Sequence, residues 1–128
     1  MTVSSSRSAR AEQRARSGVS AEALAARFLE AQGLTVVARN FRVRRGEIDL
    51  IARDGATLVF VEVRLRRSSR FGGAVESITA AKRARLVAAA QLYLLGLRAQ
   101  PRCRFDAILL DTLDPAKVDW RRNVIEAT

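Results

Sequence analysis

The chain has no histidine and a single cysteine, Cys103. Without histidine, Ser-His-Asp and Cys-His catalysis, imidazole-bound zinc and any hydrolysis with a histidine base are excluded. One thiol forms no internal disulfide and no thiolate zinc site, so the expected compartment is the reducing cytoplasm. No apolar run approaches the ~20 residues that a membrane span needs, which argues against a membrane partner. The N-terminal stretch has Arg and Ser but no apolar core of a secretory signal. Internal repeats are absent.

Acidic residues are also scarce. Against 13 Asp and Glu stand 23 Lys and Arg, a net charge of +10. All but two of the basic residues (Lys82 and Lys117) are arginine, whose planar fork matches phosphate oxygens in pairs. A small basic domain of this kind points to nucleic acid as partner. With 128 residues and 48% hydrophobic content, the chain suffices for one domain with a real core. Residues 1–18 are rich in Ser, Arg and Ala, and the reading is a flexible basic arm; residues 19–128 form the single domain.

The informative stretch is Gly46–Arg66. Asp54-Gly55 is a hairpin signal, since a two-residue turn needs positive φ, which Gly takes freely and Asp tolerates. The strands are predicted over Glu47–Arg53 and Thr57–Leu65, with Arg53 opposite Ala56. Alternation puts Ile48, Leu50, Ala52, Val59, Val61 and Val63 on one buried face. The other face carries Ile51, Leu58 and Phe60 near the turn, and Glu47, Asp49, Glu62 and Arg64 far from it. In this register Glu47 faces Glu62 and Asp49 is diagonal to it. Such carboxylates repel, and a divalent cation or a basic partner would compensate them; Mg²⁺ prefers oxygen ligands of this kind. A solvated sheet face with Arg64 as counter-ion is the alternative.

Elsewhere, Ser20 is a plausible cap for a helix over Ala21–Gln32, closed by Gly33. Glu22 lies in its first turn, where a carboxylate also suits the helix dipole. Leu34–Ala38 reads as a short strand, and Arg39-Asn40 and Arg44-Arg45-Gly46 as turns. The loop Arg66–Gly73 follows the charged strand end, so Arg66, Arg67 and Arg70 are candidate phosphate contacts. A second helix is predicted over Ala80–Leu97, capped by Ser77 or Thr79. Lys82, Arg83 and Arg85 oppose its dipole, a cost that bound phosphate would offset. Arg104–Leu110 reads as a buried strand parallel to the hairpin's second strand, and Val118–Arg122 as a last strand with Trp120 over the core.

Taken together, G-E-I-D-L-I at Gly46–Ile51, F-V-E-V at Phe60–Val63, R-F-G at Arg70–Gly72, Lys82 with Leu86, Tyr93 with Leu94, and R-F-D at Arg104–Asp106 resemble the YraN-type family. That family looks related to the restriction-endonuclease-like PD-(D/E)xK fold of Holliday-junction resolvases. The resemblance implies an α/β domain with a central mixed sheet flanked by helices. It implies Asp49 and Glu62 as ligands of Mg²⁺ or Mn²⁺, and Glu22 as a first-helix acid near the site. The activity it implies is metal-dependent endonuclease action on DNA, branched or damaged substrates included. Arg64 stands where the family pattern has lysine, and arginine is no base at neutral pH. A nucleic-acid-binding module with a degenerate site is therefore the competing expectation. Whether the chain forms a homodimer is left open.

Overall fold

The computed structural model describes residues 21–65 and 79–125. Helix α1 covers residues 21–31. It is followed by strands β1 (Thr35–Val43), β2 (Gly46–Asp54) and β3 (Thr57–Leu65), then helix α2 (Ala80–Leu95) and strand β4 (Arg102–Leu110). A 3₁₀ turn, Pro115–Lys117, leads into β5 (Val118–Arg121). The five strands form one sheet in sequence order. β3 and β4 are parallel, and every other neighbouring pair is antiparallel. The result is an α/β fold with a mixed sheet, as expected, and the hairpin strands are interior.

The sheet is apolar on both faces, which is why it has a helix on each. Leu50, Ala52, Val59, Val61 and Ile108 pack under Ala25, Ala26 and Leu29 of α1. Ile51, Leu58 and Phe60 pack under Leu86, Ala89 and Ala90 of α2. Tyr93 meets Phe41 and Phe60 edge-on, with ring centroids at 5.2 and 6.1 Å. Trp120 covers the α1 side, edge-on to Phe28 at 5.9 Å.

Helix ends follow their local chemistry. Gly33 takes φ +96°, a conformation costly for any residue with a Cβ, and lets Leu34 donate back to the Leu29 carbonyl at 3.0 Å. Thr79 caps α2, its hydroxyl accepting the Lys82 N–H at 3.2 Å. α2 ends two residues earlier than predicted, at Leu95, with Gly96 as cap. The arm at 1–18, and Ser20 and Ser77 as caps, lie outside the described residues.

Three expectations are corrected. The turn is Gly55-Ala56, with Gly55 at φ +61°, because Asp54 pairs with Thr57 and extends β2 by one residue. The hairpin register therefore moves by two. Secondly, Arg39-Asn40 is no turn. β1 runs on to Val43, and Asn40 takes φ +52° inside the strand, a left-handed conformation that asparagine tolerates. Thirdly, Ile48 packs with Ile51, Leu58 and Phe60 rather than with Leu50 and Ala52. Strict alternation fails between them, at Asp49, the position the β1–β2 ladder leaves unpaired opposite the left-handed Asn40.

Candidate active site

Asp49 sits where the sheet forks. The β1–β2 ladder steps from Arg39↔Leu50 to Phe41↔Ile48, over the left-handed Asn40. The β2–β3 ladder ends at Leu50↔Val61. Beyond that point β2 stays with β1, while β3 stays with β4 up to Leu65↔Leu110. The Val63 N–H donates to Asp49 Oδ2 at 2.8 Å. The fork thus exposes a carboxylate in the middle of the sheet and uses that carboxylate to satisfy a main-chain donor.

The corrected register sets Asp49, rather than Glu47, beside Glu62. The two carboxyl groups interact directly, and Glu62 is pushed up to about 8. Burial is the largest cause, followed by the Asp49 charge and a hydrogen bond with Asp49; Arg64 opposes them. Glu47 is farther out, half-exposed and paired across the strands with Arg42 at 3.3 Å. Glu22 on α1 is also raised, first by burial and then by Asp49, against a hydrogen bond with Asn40.

Arg64 Nε lies 3.2 Å from Glu62 Oε2, with only 27% of its side chain exposed. Its N–H is not aimed at that oxygen, so Nε is a buried donor without a hydrogen-bond partner. A buried donor left in this state costs about 1–3 kcal/mol unless something accepts from it.

Glu47, Asp49, Glu62 and Arg64 line one cleft of about 400 Å³ with Lys82 and Arg85. Lys82 and Arg85 belong to the first turns of α2. That helix comes close because residue 46 is glycine; a Cβ at Gly46 would overlap the Arg85 carbonyl. The first turn of α2 holds no acidic residue, so its positive end adds to these cations. Of the residues expected to contact phosphate, Lys82 lines the cleft. Arg83 is exposed and does not, because Lys82 and Arg85, three positions apart, share the cleft side and the intervening Arg83 is turned outward. Arg66, Arg67 and Arg70 lie outside the described residues.

Asn40 has no assigned part in the site at the level of sequence, and Arg85 enters there only as a cation at the start of the second helix. The signal for Arg85 was its spacing from Lys82; for Asn40 it was the tolerance of asparagine for positive φ. Asp106 was noted only as part of R-F-D. It is 1% exposed. Its carboxylate accepts from Arg104 Nε at 3.0 Å, Trp120 Nε1 at 3.0 Å and the Asn123 N–H at 3.0 Å. Arg104 also reaches Asp54 at 3.0 Å. This network ties β4 to β5 and to the β2–β3 turn, and none of its side chains lines the cleft.

The family model "Uncharacterised protein family UPF0102" matches residues 21–110. The chain belongs to this family, the YraN-type group. It is 56% identical over 110 residues to a UPF0102 protein of Dechloromonas aromatica, covering 86% of this chain and 88% of that one. It is 51% identical over 109 residues to one of Nitrosospira multiformis, covering 85% and 92%. A UPF0102 protein of Methylobacillus flagellatus is 52% identical over 110 residues, covering 86% and 96%.

A resident divalent ion fits the donor chemistry. Mg²⁺ is commonly bound by one or two carboxylates with water and substrate phosphate completing its shell. Asp49 and Glu62 supply such a pair, and their mutual repulsion is what a cation would relieve. Among the described residues no group of three Asp, Glu or Cys side chains is arranged to hold a metal, so the protein would provide two carboxylates and no closed cage. No described helix is long and apolar enough to cross a membrane.

Proposed function

We propose that this cleft binds a phosphodiester of DNA and cleaves it as a metal-dependent endonuclease. The observation that carries the reading is the Asp49–Glu62 pair at the sheet fork, ringed by Arg64, Lys82 and Arg85. Acids alone would repel a phosphate, and cations alone would only hold one. Their combination in one cleft is what hydrolysis needs.

Asp49 and Glu62 would hold Mg²⁺ or Mn²⁺, which when bound supplies Lewis-acid charge and acidifies a water. Arg64 lines the cleft, offers the phosphate its guanidinium and remains a cation throughout. Lys82 and Arg85 hold flanking phosphate oxygens. Asp49 keeps its place through the Val63 N–H. Glu22, hydrogen-bonded to Asn40, does not line the cleft and bears on it through its charge interaction with Asp49. In hydrolysis the water oxygen bonds to phosphorus and gives up its proton to solvent, the bond from phosphorus to the leaving sugar oxygen breaks, and that oxygen takes up a proton from solvent.

The second reading is a nucleic-acid-binding module without hydrolysis. Arg64 favours it, since it replaces a residue able to lose a proton by one that is not. A cleavage assay in Mg²⁺ and in Mn²⁺, on single-stranded, duplex and four-way-junction DNA, separates the two. Metal-dependent cleavage by the wild type that Asp49→Ala abolishes supports the nuclease. Binding without cleavage in either metal supports the module.

A further inference from the structure

α2 carries two stripes. One is buried against the sheet. The other comprises Arg85, Ala88, Leu92 and Leu95, at helical spacing, and it leads away from the acidic cleft. Leu92 is 44% and Leu95 78% exposed, side by side on the face of α2 away from the sheet core. With Arg44 and Arg45 they line a second cleft of about 560 Å³. The two clefts adjoin. Gly46 follows Arg45 directly and packs on the Arg85 carbonyl, so the β1–β2 turn crosses α2 between them. Arg85 to Leu95 spans about 15 Å of helix. Arg44, Arg45 and Arg85 make no ion pair among the described residues.

Arginines over an apolar floor suit one class of ligand. In a duplex the bases are paired and stacked, so exposed leucines beside its phosphates gain nothing. An unpaired strand presents both a phosphate backbone and free apolar base faces. We infer that the Arg44–Arg45–Leu92–Leu95 cleft is a binding site for a single-stranded nucleic-acid segment that continues from the acidic cleft. The inference rests on the proposed function and adds to it the strandedness of the ligand. A duplex entering the acidic cleft would leave this second cleft empty, whereas a strand unpaired on one side would fill it.

The test uses the full chain in EDTA, so that binding is read without cleavage. Fluorescence anisotropy is measured with a labelled single-stranded oligonucleotide and with a blunt duplex, across a salt series. The proteins are wild type, Arg44→Glu/Arg45→Glu, Arg44→Ala/Arg45→Ala and Leu92→Ser/Leu95→Ser, each checked by thermal melting. The expected result is that the serine variant, which loses the apolar surface the bases would cover, weakens single-strand binding by about tenfold and leaves the duplex unchanged. Either arginine variant should flatten the slope of log Kd against log salt on the single strand by about 1.4, at roughly 0.7 per phosphate contact. Unchanged single-strand affinity in the serine and arginine variants, with wild-type binding intact, overturns this inference and leaves the proposed function standing. No binding of either DNA by the wild type overturns both. A concentration-dependent dimer in sedimentation that the serine variant abolishes overturns the inference in favour of a second copy on this face.

Discussion

Val63 donates its main-chain N–H to Asp49 at 2.8 Å across the point where β2 and β3 part. Asp49 is therefore both a member of the acidic pair and the group that closes the sheet beside the fork. Two substitutions separate these roles. Asp49→Asn keeps an oxygen able to accept from Val63 and removes the charge. Asp49→Ala removes both, leaving a partly buried donor unsatisfied. Asp49→Asn should be more stable than Asp49→Ala by about 1 kcal/mol in urea unfolding. Equal stabilities would show that the Val63 contact contributes nothing.

The raised Glu62 makes a pH prediction with a definite sign. Its carboxyl titrates at about 8 in the folded chain, against 4.5 when unperturbed. A group whose folded pKa lies above its unfolded value favours the fold while protonated. That contribution is complete below about 4.5 and is lost as pH rises through about 8. Glu62→Gln, which stays neutral, should therefore stabilise the metal-free protein at pH 9 and have little effect near pH 4. Screening by water reduces the expected gain to about 2 kcal/mol. Melting temperatures of the two proteins at both pH values check this. A gap that is larger at pH 4 would reverse the sign and refute the assignment.

Gly46 sets the distance between α2 and the acids. Gly46→Ala places a Cβ on the Arg85 carbonyl, so α2 must shift outward. The expected cost is about 1–3 kcal/mol, as for other overpacked positions. DNA affinity should fall as well, because Lys82 and Arg85 move away from the cleft. Calorimetric unfolding and anisotropy on the same preparation measure both effects.

Asp106 should matter for stability and not for the cleft. Asp106→Ala leaves the Arg104 guanidinium short of its main partner and removes the acceptor for Trp120. Losing one member of a buried charge pair costs about 3–5 kcal/mol. The chain has one tryptophan, so emission reports directly on this network during denaturation. Asp106→Ala should shift the Trp120 unfolding midpoint to lower urea, while the folded fraction keeps its DNA affinity.

The sheet and both helices were readable because their signals are periodic. Alternating apolar residues over 47–65 and a helical stripe over Leu86–Leu97 both require a buried partner. What escaped was local. Asp54-Gly55 and Gly55-Ala56 are both workable turns, and the choice shifts the register by two without changing either face near the turn. That choice decided whether Glu47 or Asp49 meets Glu62. Asn40 reads as a loop residue in a linear pattern, and its left-handed place inside β1 depends on the strand beside it. Asp106 looks like a strand charge until its partners, Trp120 and Asn123, fold over it. The Asp49–Glu62–Arg64 constellation was legible because a carboxylate cluster on otherwise apolar strands is costly without a use.

Mn²⁺ binding measured by isothermal titration calorimetry on wild type, Asp49→Asn and Glu62→Gln tests the central claim most directly. At pH 8 the wild type should bind one ion and release protons as Glu62 ionises, so that the observed heat depends on the buffer's ionisation enthalpy. Either substitution should weaken binding by at least about tenfold, the loss typical of a disrupted metal site. Wild-type protein that binds no Mn²⁺, or binding that survives Asp49→Asn unchanged, would contradict the claim that this pair is a metal site.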